Sequence, residues 1–377
     1  MFGMRVPAWL GRRVEEAIAG EAPGVPCRVA RLLLAGLAGL YGAGMGLRNV
    51  AYDRGLLRIR RLPCRVICVG NLTVGGTGKT PTVLWLARAL ASTGRRVAVV
   101  LRGYGSQAGA ASRVVSDGGG LQEDWRSVGD EAALLAARLP GIPVLIGGDR
   151  YAAGLLALSA FQAEVIVLDD GFQHRRLHRD VDLVLVDATD PFGGGWLLPR
   201  GRLRERPTNL GRAHALLLTR ADEGEVTASL RERLERLAPG VPVASAIHKP
   251  SALLPLPDGP AERLEALRGS RVLAVSGIAN PGSFRRGLEA LGMEVAAHLA
   301  YPDHHPYGAA ERAEIDRSAR SRGARAIVTT EKDAVRLGTH LPAELPVYAV
   351  RIDLEVVAGG EAIGGVLGVD LGDQTRG

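Results

Sequence analysis

One short segment carries the residue types that bind phosphate groups. Gly75–Thr80 reads Gly-Gly-Thr-Gly-Lys-Thr, follows an apolar run, and leads into a helical pattern at Pro81. Glycines let backbone N–H groups turn toward phosphate oxygens, Lys79 can reach the terminal phosphates, and the Thr80 hydroxyl can ligate magnesium. The usual first glycine of a P-loop is replaced by Thr73. The strand–loop–helix context still predicts a nucleotide site. Its residues would be Thr73, Val74, Gly75, Gly76, Thr77, Gly78, Lys79 and Thr80.

A second segment supplies carboxylates. Glu164–Leu168 is an apolar strand pattern, and Asp169 and Asp170 follow it directly. Such a pair can cap a helix, but together with an upstream P-loop it is typical of a magnesium site. Arg102 and Arg150 also come just after predicted strands. Because strand ends share one edge of an open α/β sheet, these arginines are expected to lie near phosphates there.

Three further polar segments leave alternatives open. Asp130 precedes a helical pattern and could be its N-cap. His304 and His305 follow Asp303 in a turn, where they could be structural, take part in acid–base chemistry or bind metal. Thr219–Asp222 follows a strand and is a weak match to the guanine-reading motif of GTPases. That match keeps a second hypothesis, a P-loop GTPase or metallochaperone-type nucleotide switch.

Alternating strand and helix patterns must position these residues. Apolar strands from Arg65–Val69 to Ala215–Leu218 alternate with helices, which predicts a parallel sheet covered on both faces. A smaller α/β unit begins near Leu267, and Val241–Pro257 is predicted to pair with Val347–Leu354. The expected class is α/β, with two α/β/α sandwich domains, the first of P-loop NTPase type, joined by a short two-stranded linker. The predicted boundaries are 1–63 for an N-terminal helical segment, 64–240 for the P-loop domain, 241–266 for the linker, 267–345 for the C-terminal α/β domain, and 346–377 for the returning linker strand and tail.

The segment Leu32–Leu47 is apolar and has no charged residue. It is shorter than the roughly 20 residues of a membrane-spanning helix, and arginines flank it on both sides. This pattern fits a helix that lies in an anionic membrane interface, and a helix buried against the domain is the alternative. The chain therefore has one candidate membrane contact near its N-terminus.

The amino-acid composition limits the classes of molecule that the chain is expected to bind. A net charge of +7 favours anionic partners, whereas an aromatic content of 4% argues against single-stranded nucleic acids, so no nucleic acid is expected. Cys27, Cys64 and Cys68 are too few for a disulfide framework and indicate a reducing compartment. No signal-peptide pattern precedes the apolar segment.

Together, the motifs resemble those of the tetraacyldisaccharide 4'-kinase (lipid A 4'-kinase) family. The matching segments are Gly70–Pro81, Arg102–Gly105, Gly129–Glu131, Asp169–His174, Leu203–Glu205, Asp303–His305 and Thr330–Asp333. The resemblance implies an ATP- and Mg²⁺-dependent kinase that phosphorylates the 4'-hydroxyl of an acylated glucosamine disaccharide 1-phosphate. Such an enzyme would be peripheral at the cytoplasmic face of the inner membrane, on an anionic membrane surface, and a monomer is expected.

The resemblance also implies roles for individual residues. Asp130 would be the general base with His304 as its partner, acting beside Lys79. The implied ligands of magnesium or its waters are Thr80, Asp169, Asp170, Glu205 and Gln173. The implied contacts to substrate or to the transferred phosphate are Arg102, Tyr104, Arg150, His174 and Arg204. The loop Gly201–Pro207 departs from the family pattern by two additional arginines.

Overall fold

A single mixed sheet runs through the whole molecule. The computed structural model describes residues 25–103, 111–224, 226–338 and 345–371. Within these residues the strands are β1 Arg65–Asn71, β2 Val97–Leu101, β3 Arg113–Ser116, β4 Val144–Ile146, β5 Val165–Asp169, β6 Val181–Asp187, β7 Ala215–Thr219, β8 Val243–Leu256, β9 Arg271–Ser276, β10 Glu294–Ala300, β11 Ala326–Thr330 and β12 Val347–Ala358. Their order is β10-β9-β11-β12-β8-β7-β6-β1-β5-β2-β4-β3.

Helices cover this sheet. The α-helices of the described residues are α1 Val25–Asp53, α2 Lys79–Ser92, α3 Trp125–Val128, α4 Asp130–Arg138, α5 Arg150–Phe161, α6 Ala228–Leu237, α7 Pro281–Ala290, α8 Ala309–Ser321, α9 Glu331–Leu337 and α10 Gly360–Leu367. Short 3-10 helices span Gly193–Gly195, Pro207–Arg212 and Leu264–Leu267. The predicted α/β class with a P-loop-type parallel sheet is confirmed.

The strands are apolar because both faces of the sheet are covered. In β1, Ile67 and Val69 join the hydrophobic cluster on one face, whereas Val66 and Cys68 join the cluster on the other. This alternation follows from the two-residue period of a strand. It places Cys68 in the core, and Cys64 packs at its margin.

The two halves of the sheet meet at a long antiparallel ribbon. β8 pairs with β12 from Leu256–Val347 to Ser245–Ala358. β8 also runs parallel to β7, and β12 runs parallel to β11. The predicted linker strands therefore pair, and they also make the sheet continuous from one half to the other.

The elements that were not predicted from the sequence include strand β3 and helix α10. β3 is short and pairs antiparallel with β4 at the sheet edge. Helix α10 packs against the P-loop half, and its Ile363 and Leu367 are buried in the hydrophobic core of that half. Its glycine-rich sequence has low intrinsic helix propensity, so tertiary packing rather than local preference forms it.

Helix α1 is longer than the apolar run predicts. It has 29 residues, and its segment Arg28–Asp53 is long and apolar enough to cross a membrane by length and composition. One face buries Ala38, Asn49 and Tyr52 against the protein. The opposite face exposes Val29, Leu32, Leu33, Leu37, Leu40 and Leu47. One face of the helix therefore packs on the domain, and its apolar opposite face stays outside.

Candidate active site

A cleft of about 1090 Å³ lies between the two halves of the sheet and helix α1. The phosphate loop, the end of β5 and the start of α4 form one wall, and Asp303, His304 and Lys332 belong to the other. Tyr41, Met45 and Arg48 of α1 line its edge. Clefts between α/β units at the carboxyl ends of parallel strands are the usual place for ligands in such folds.

The phosphate loop is held in an open curve by its glycines and by neighbouring side chains. Gly78 has φ 84° and caps α2, and a Cβ there would lie 2.4 Å from the His248 ring nitrogen Nε2, so only glycine fits. Two residues at the end of β7 hold the loop backbone: the Thr219 hydroxyl donates to the Thr77 carbonyl (2.9 Å), and Arg220 donates to the Gly76 carbonyl (2.9 Å). The predicted loop residues from Val74 to Thr80 line the cleft, whereas Thr73 is buried behind it.

The two aspartates after β5 have different surroundings. Burial, followed by the negative charge of Glu131, raises the pKa of Asp169 to about 7. Burial also opposes ionisation of Asp170, but Lys79 and Arg204 hold the pKa of that carboxyl below its usual value. Arg204 Nη1 lies 2.8 Å from both Asp170 oxygens, and Lys79 Nζ lies 3.7 Å from one of them. Asp170 is therefore paired with cations, whereas Asp169 is not satisfied.

The unsatisfied carboxylate fits a divalent cation. Asp169 Oδ1 is buried and has no hydrogen-bond partner. A nearby dication would favour its charged form. Among the described residues, no three His, Cys, Asp or Glu side chains cluster as a metal cage. Magnesium commonly takes one or two carboxylates and completes its shell with phosphate oxygens and water, so Asp169 and the Thr80 hydroxyl fit this role.

Asp130 and His304 meet across the cleft. Asp130 is the first residue of α4, following Gly129 with φ 94°, and His304 stands in a turn of the other half with φ 60°. His304 Nδ1 donates to Asp130 Oδ2 at 2.9 Å. Burial would raise the pKa of Asp130, but the bond to His304 and the charge of Lys332 lower it. The same bond raises the pKa of His304. This pair has the geometry of a carboxylate base oriented by an imidazole.

Comparisons with known proteins identify the family. The family model described as tetraacyldisaccharide-1-P 4'-kinase matches residues 30–365. The chain belongs to this family. A tetraacyldisaccharide 4'-kinase of Anaeromyxobacter sp. (strain Fw109-5) is 47% identical, with 93% of this chain and 92% of the relative covered. That of Syntrophus aciditrophicus is 45% identical, with 86% and 89% covered. The crystal structure of LpxK from Aquifex aeolicus in complex with ATP matches with a TM-score of 0.73 at 33% identity, covering 90% of this chain and 98% of that one.

The residues expected from the family resemblance to contact the substrate fall into three groups. Arg102 and Arg204 line the cleft. Arg150 and His174 do not line it. Burial together with the charge of Arg150 lowers the pKa of His174 to about 4, so this imidazole is neutral. Burial and the neighbouring Arg102 also lower the pKa of Arg150. Tyr104 lies outside the described residues.

Gln173 and Glu205, both expected near magnesium in this kinase family, are in different places. Gln173 lines the cleft and donates to the Asn71 carbonyl at 3.0 Å. Glu205 is buried and does not line the cleft. Its Oε2 accepts hydrogen bonds from Asn49 of α1, Asn209 and Arg212 at 2.9, 2.6 and 2.7 Å. These contacts of Oε2 join α1 to the body of the protein, whereas Glu205 Oε1 is buried and has no hydrogen-bond partner.

Several cleft residues were not predicted as functional. Lys332 belongs to the segment Thr330–Asp333, which supported the resemblance but received no role. Glu131 lies next to Asp130, and its carboxylate accepts a hydrogen bond from Lys332 at 3.2 Å. Arg48 of α1 donates to the Gln173 carbonyl at 2.7 Å, and Tyr41 donates to the Arg204 carbonyl at 3.0 Å. The basic flank of the apolar run was the available signal for Arg48.

Proposed function

We propose that this chain transfers the γ-phosphate of ATP to the 4'-hydroxyl of a tetraacyldisaccharide 1-phosphate, a step of lipid A biosynthesis. The kinase class follows from the family, and the observation that carries the site assignment is the hydrogen bond between Asp130 and His304, beside the cleft that the phosphate loop and His304 line. The nucleotide phosphates would lie against the loop from Val74 to Thr80. Magnesium, held by Asp169 and Thr80, would neutralise charge on the phosphates.

Three side chains would position the reacting groups and take up the proton: Lys79, Asp130 and His304. Lys79 points its ammonium into the cleft between Asn71 and Asp170, where it can neutralise a transferring phosphoryl group. Asp130 accepts the proton of the sugar hydroxyl while that oxygen bonds to the γ-phosphorus and the bond to the β-phosphate oxygen breaks. His304 holds the Asp130 carboxylate in place. An ordinary aspartate is a weak base with a pKa of about 3.9, so alignment and exclusion of water must supply much of its effect.

The acceptor is a lipid, and α1 gives the cleft access to a membrane. Its exposed leucines lie on one face, and its other face supplies Tyr41, Met45 and Arg48 to the cleft edge. Its bonds to the protein, including Asn49 to Glu205, hold it alongside the domain. We therefore place the enzyme as a peripheral protein at the cytoplasmic face of the inner membrane, with α1 lying in the interface.

The direct test is transfer of radiolabelled γ-phosphate to the disaccharide lipid in detergent, with and without Mg²⁺. The expected product carries label at the 4'-oxygen, located by mass spectrometry, and forms only with Mg²⁺. The Lys79→Ala variant is the inactive control, and a GTP competitor tests nucleotide choice. Slow hydrolysis that prefers GTP and does not depend on the lipid would replace the kinase with the nucleotide switch.

A further inference from the structure

Lysine is rare in this chain, and two of its lysines face one cleft. Among 47 lysine and arginine residues, only Lys79, Lys249 and Lys332 are lysine. Lys249 is exposed on the linker ribbon, whereas Lys79 and Lys332 line the cleft. An ammonium is a compact charge on a flexible stem, and the planar guanidinium of arginine does not replace it in a tight site. Lys332 is thus one of two lysines of this arginine-rich chain that line the cleft.

Lys332 touches the second nitrogen of the His304 ring. Its Nζ lies 3.4 Å from His304 Nε2, while His304 Nδ1 bonds to Asp130. The Nδ1 atom must carry a proton to donate to a carboxylate, and an ammonium can only donate. The contact at Nε2 therefore requires a lone pair on that nitrogen. Both contacts are satisfied together only by the neutral imidazole that carries its proton on Nδ1.

Other charged groups surround this pair and keep Lys332 ionised. Glu131 of α4 and Asp303 of the His304 turn lie 3.2 and 3.5 Å from Lys332 Nζ. Burial works against the charge, but Glu131, Asp303 and Asp130 together raise the pKa of Lys332. Asp303 also lies 3.8 Å from His304 Nε2, and Arg336 of α9 lies 3.5 Å from Asp130. Lys332 thus places a positive charge beside Nε2, on the side of the His304 ring away from Asp130.

We propose that Lys332 is a positioning residue of the Asp130–His304 pair, which fixes the His304 tautomer and disfavours the imidazolium. The inference rests on the proposed role of Asp130 as the base. A neutral His304 leaves one negative charge on the pair, so Asp130 can accept the hydroxyl proton. An imidazolium would stabilise the Asp130 carboxylate further and make it a weaker base. The Lys332 charge opposes protonation of His304 and also lowers the pKa of Asp130, so its loss should raise both pKa values.

The test is the pH dependence of kcat in three variants. Lys332→Met should move the acidic limb of the profile upward by about one pH unit, since a like charge within contact distance shifts a pKa by that order. Lys332→Arg keeps the charge and should keep the limb within about half a unit of wild type, with a lower plateau. Lys249→Met, the exposed lysine, should change neither. A Lys332→Met profile that overlays wild type while KM for ATP or lipid rises would make Lys332 a substrate contact instead.

A second measurement needs no variant at the lysine and no turnover. Nitrogen-15 NMR of histidine-labelled wild-type protein at pH 8, with His304 assigned by His304→Gln, reports the state of each ring nitrogen. The expected spectrum shows a protonated Nδ1 and an unprotonated Nε2. A protonated Nε2 at this pH overturns the proposal whether or not the kinase assignment holds. The expected spectrum together with a fully active Asp130→Asn enzyme would show instead that the His304 tautomer is as proposed and that the base assignment fails.

Discussion

The Arg138 side chain ties the base-bearing helix to the second half of the molecule, so its removal should destabilise the fold in a pH-dependent way. Arg138 ends α4, is almost fully buried, and donates to Glu331 of α9 and Asp353 of β12 at 2.5 Å each. Burial already raises the pKa of Glu331 although Arg138 opposes this shift. Arg138→Met leaves Glu331 buried without its main cation. Breaking such a pair typically costs about 3–5 kcal/mol.

Protonation of Glu331 limits the cost in that variant. A pH of 7 is about 2.5 units above the ordinary pKa of a glutamate carboxyl, 4.5. At about 1.36 kcal/mol per unit, protonating Glu331 at pH 7 costs at most about 3.4 kcal/mol. We therefore expect a loss of about 3 kcal/mol at pH 7. Because the folded pKa is raised above the unfolded one, the penalty grows with rising pH between these two values. At pH 6 the loss should be smaller by about 1.4 kcal/mol.

Urea unfolding of the variant and two controls at pH 7 and 6 measures these terms. Arg88→Met removes an exposed partner of the same Asp353 and should cost under about 1 kcal/mol. Arg138→Met combined with Glu331→Gln removes the unpaired charge and should recover about half or more of the loss. A loss in Arg138→Met that equals that of Arg88→Met, or one that does not vary with pH, would refute this reasoning.

Three further perturbations probe the phosphate loop, the Glu205 contacts and the apolar face of α1. Lys79→Ala should reduce phosphoryl transfer by about three or more powers of ten, and near-normal turnover would remove the loop from catalysis; Lys249→Ala is the control. Glu205→Gln should lower the free energy of unfolding by about 2 kcal/mol, because it weakens the contacts to Asn49 and Arg212. The Mg²⁺ dependence of kcat should stay unchanged. A large rise in the Mg²⁺ concentration needed for half-maximal activity would make Glu205 a magnesium ligand. Leu37→Asp with Leu40→Asp should weaken sedimentation with anionic vesicles at least tenfold, whereas Leu155→Asp, exposed on α5, should not; equal binding by both would remove α1 from the membrane contact.

The features that local sequence determines were predicted. The phosphate loop and Asp169–Asp170 follow buried strands, and the strand order brings them to one edge because parallel strands share their direction. The ribbon of β8 and β12 also follows from two alternating runs. These signals depend on period and on neighbours in the chain, which a single sequence displays.

The features that depend on distant contacts were not predicted from residues alone. Asp130 and His304 are 174 positions apart, and only the family resemblance paired them. No local sequence pattern marks Lys332, because its contacts are with Glu131 of α4 and with Asp303 and His304 of a turn. Glu205 stands next to Arg204, yet Arg204 faces Asp170 and Glu205 faces Asn49 of α1. Which neighbour turns inward is decided by packing and not by the sequence of that loop.

The central claim is that Asp130 takes the proton of the sugar hydroxyl, and the kinetics of Asp130→Asn test it most directly. Asparagine keeps the size of the side chain and a hydrogen-bonding oxygen for His304, but it cannot accept the proton. Measured with saturating lipid, kcat should fall by about 10²–10⁴-fold while KM for ATP stays within about twofold of wild type. A KM for ATP that rises tenfold or more with kcat nearly unchanged would contradict the account and make Asp130 a nucleotide contact.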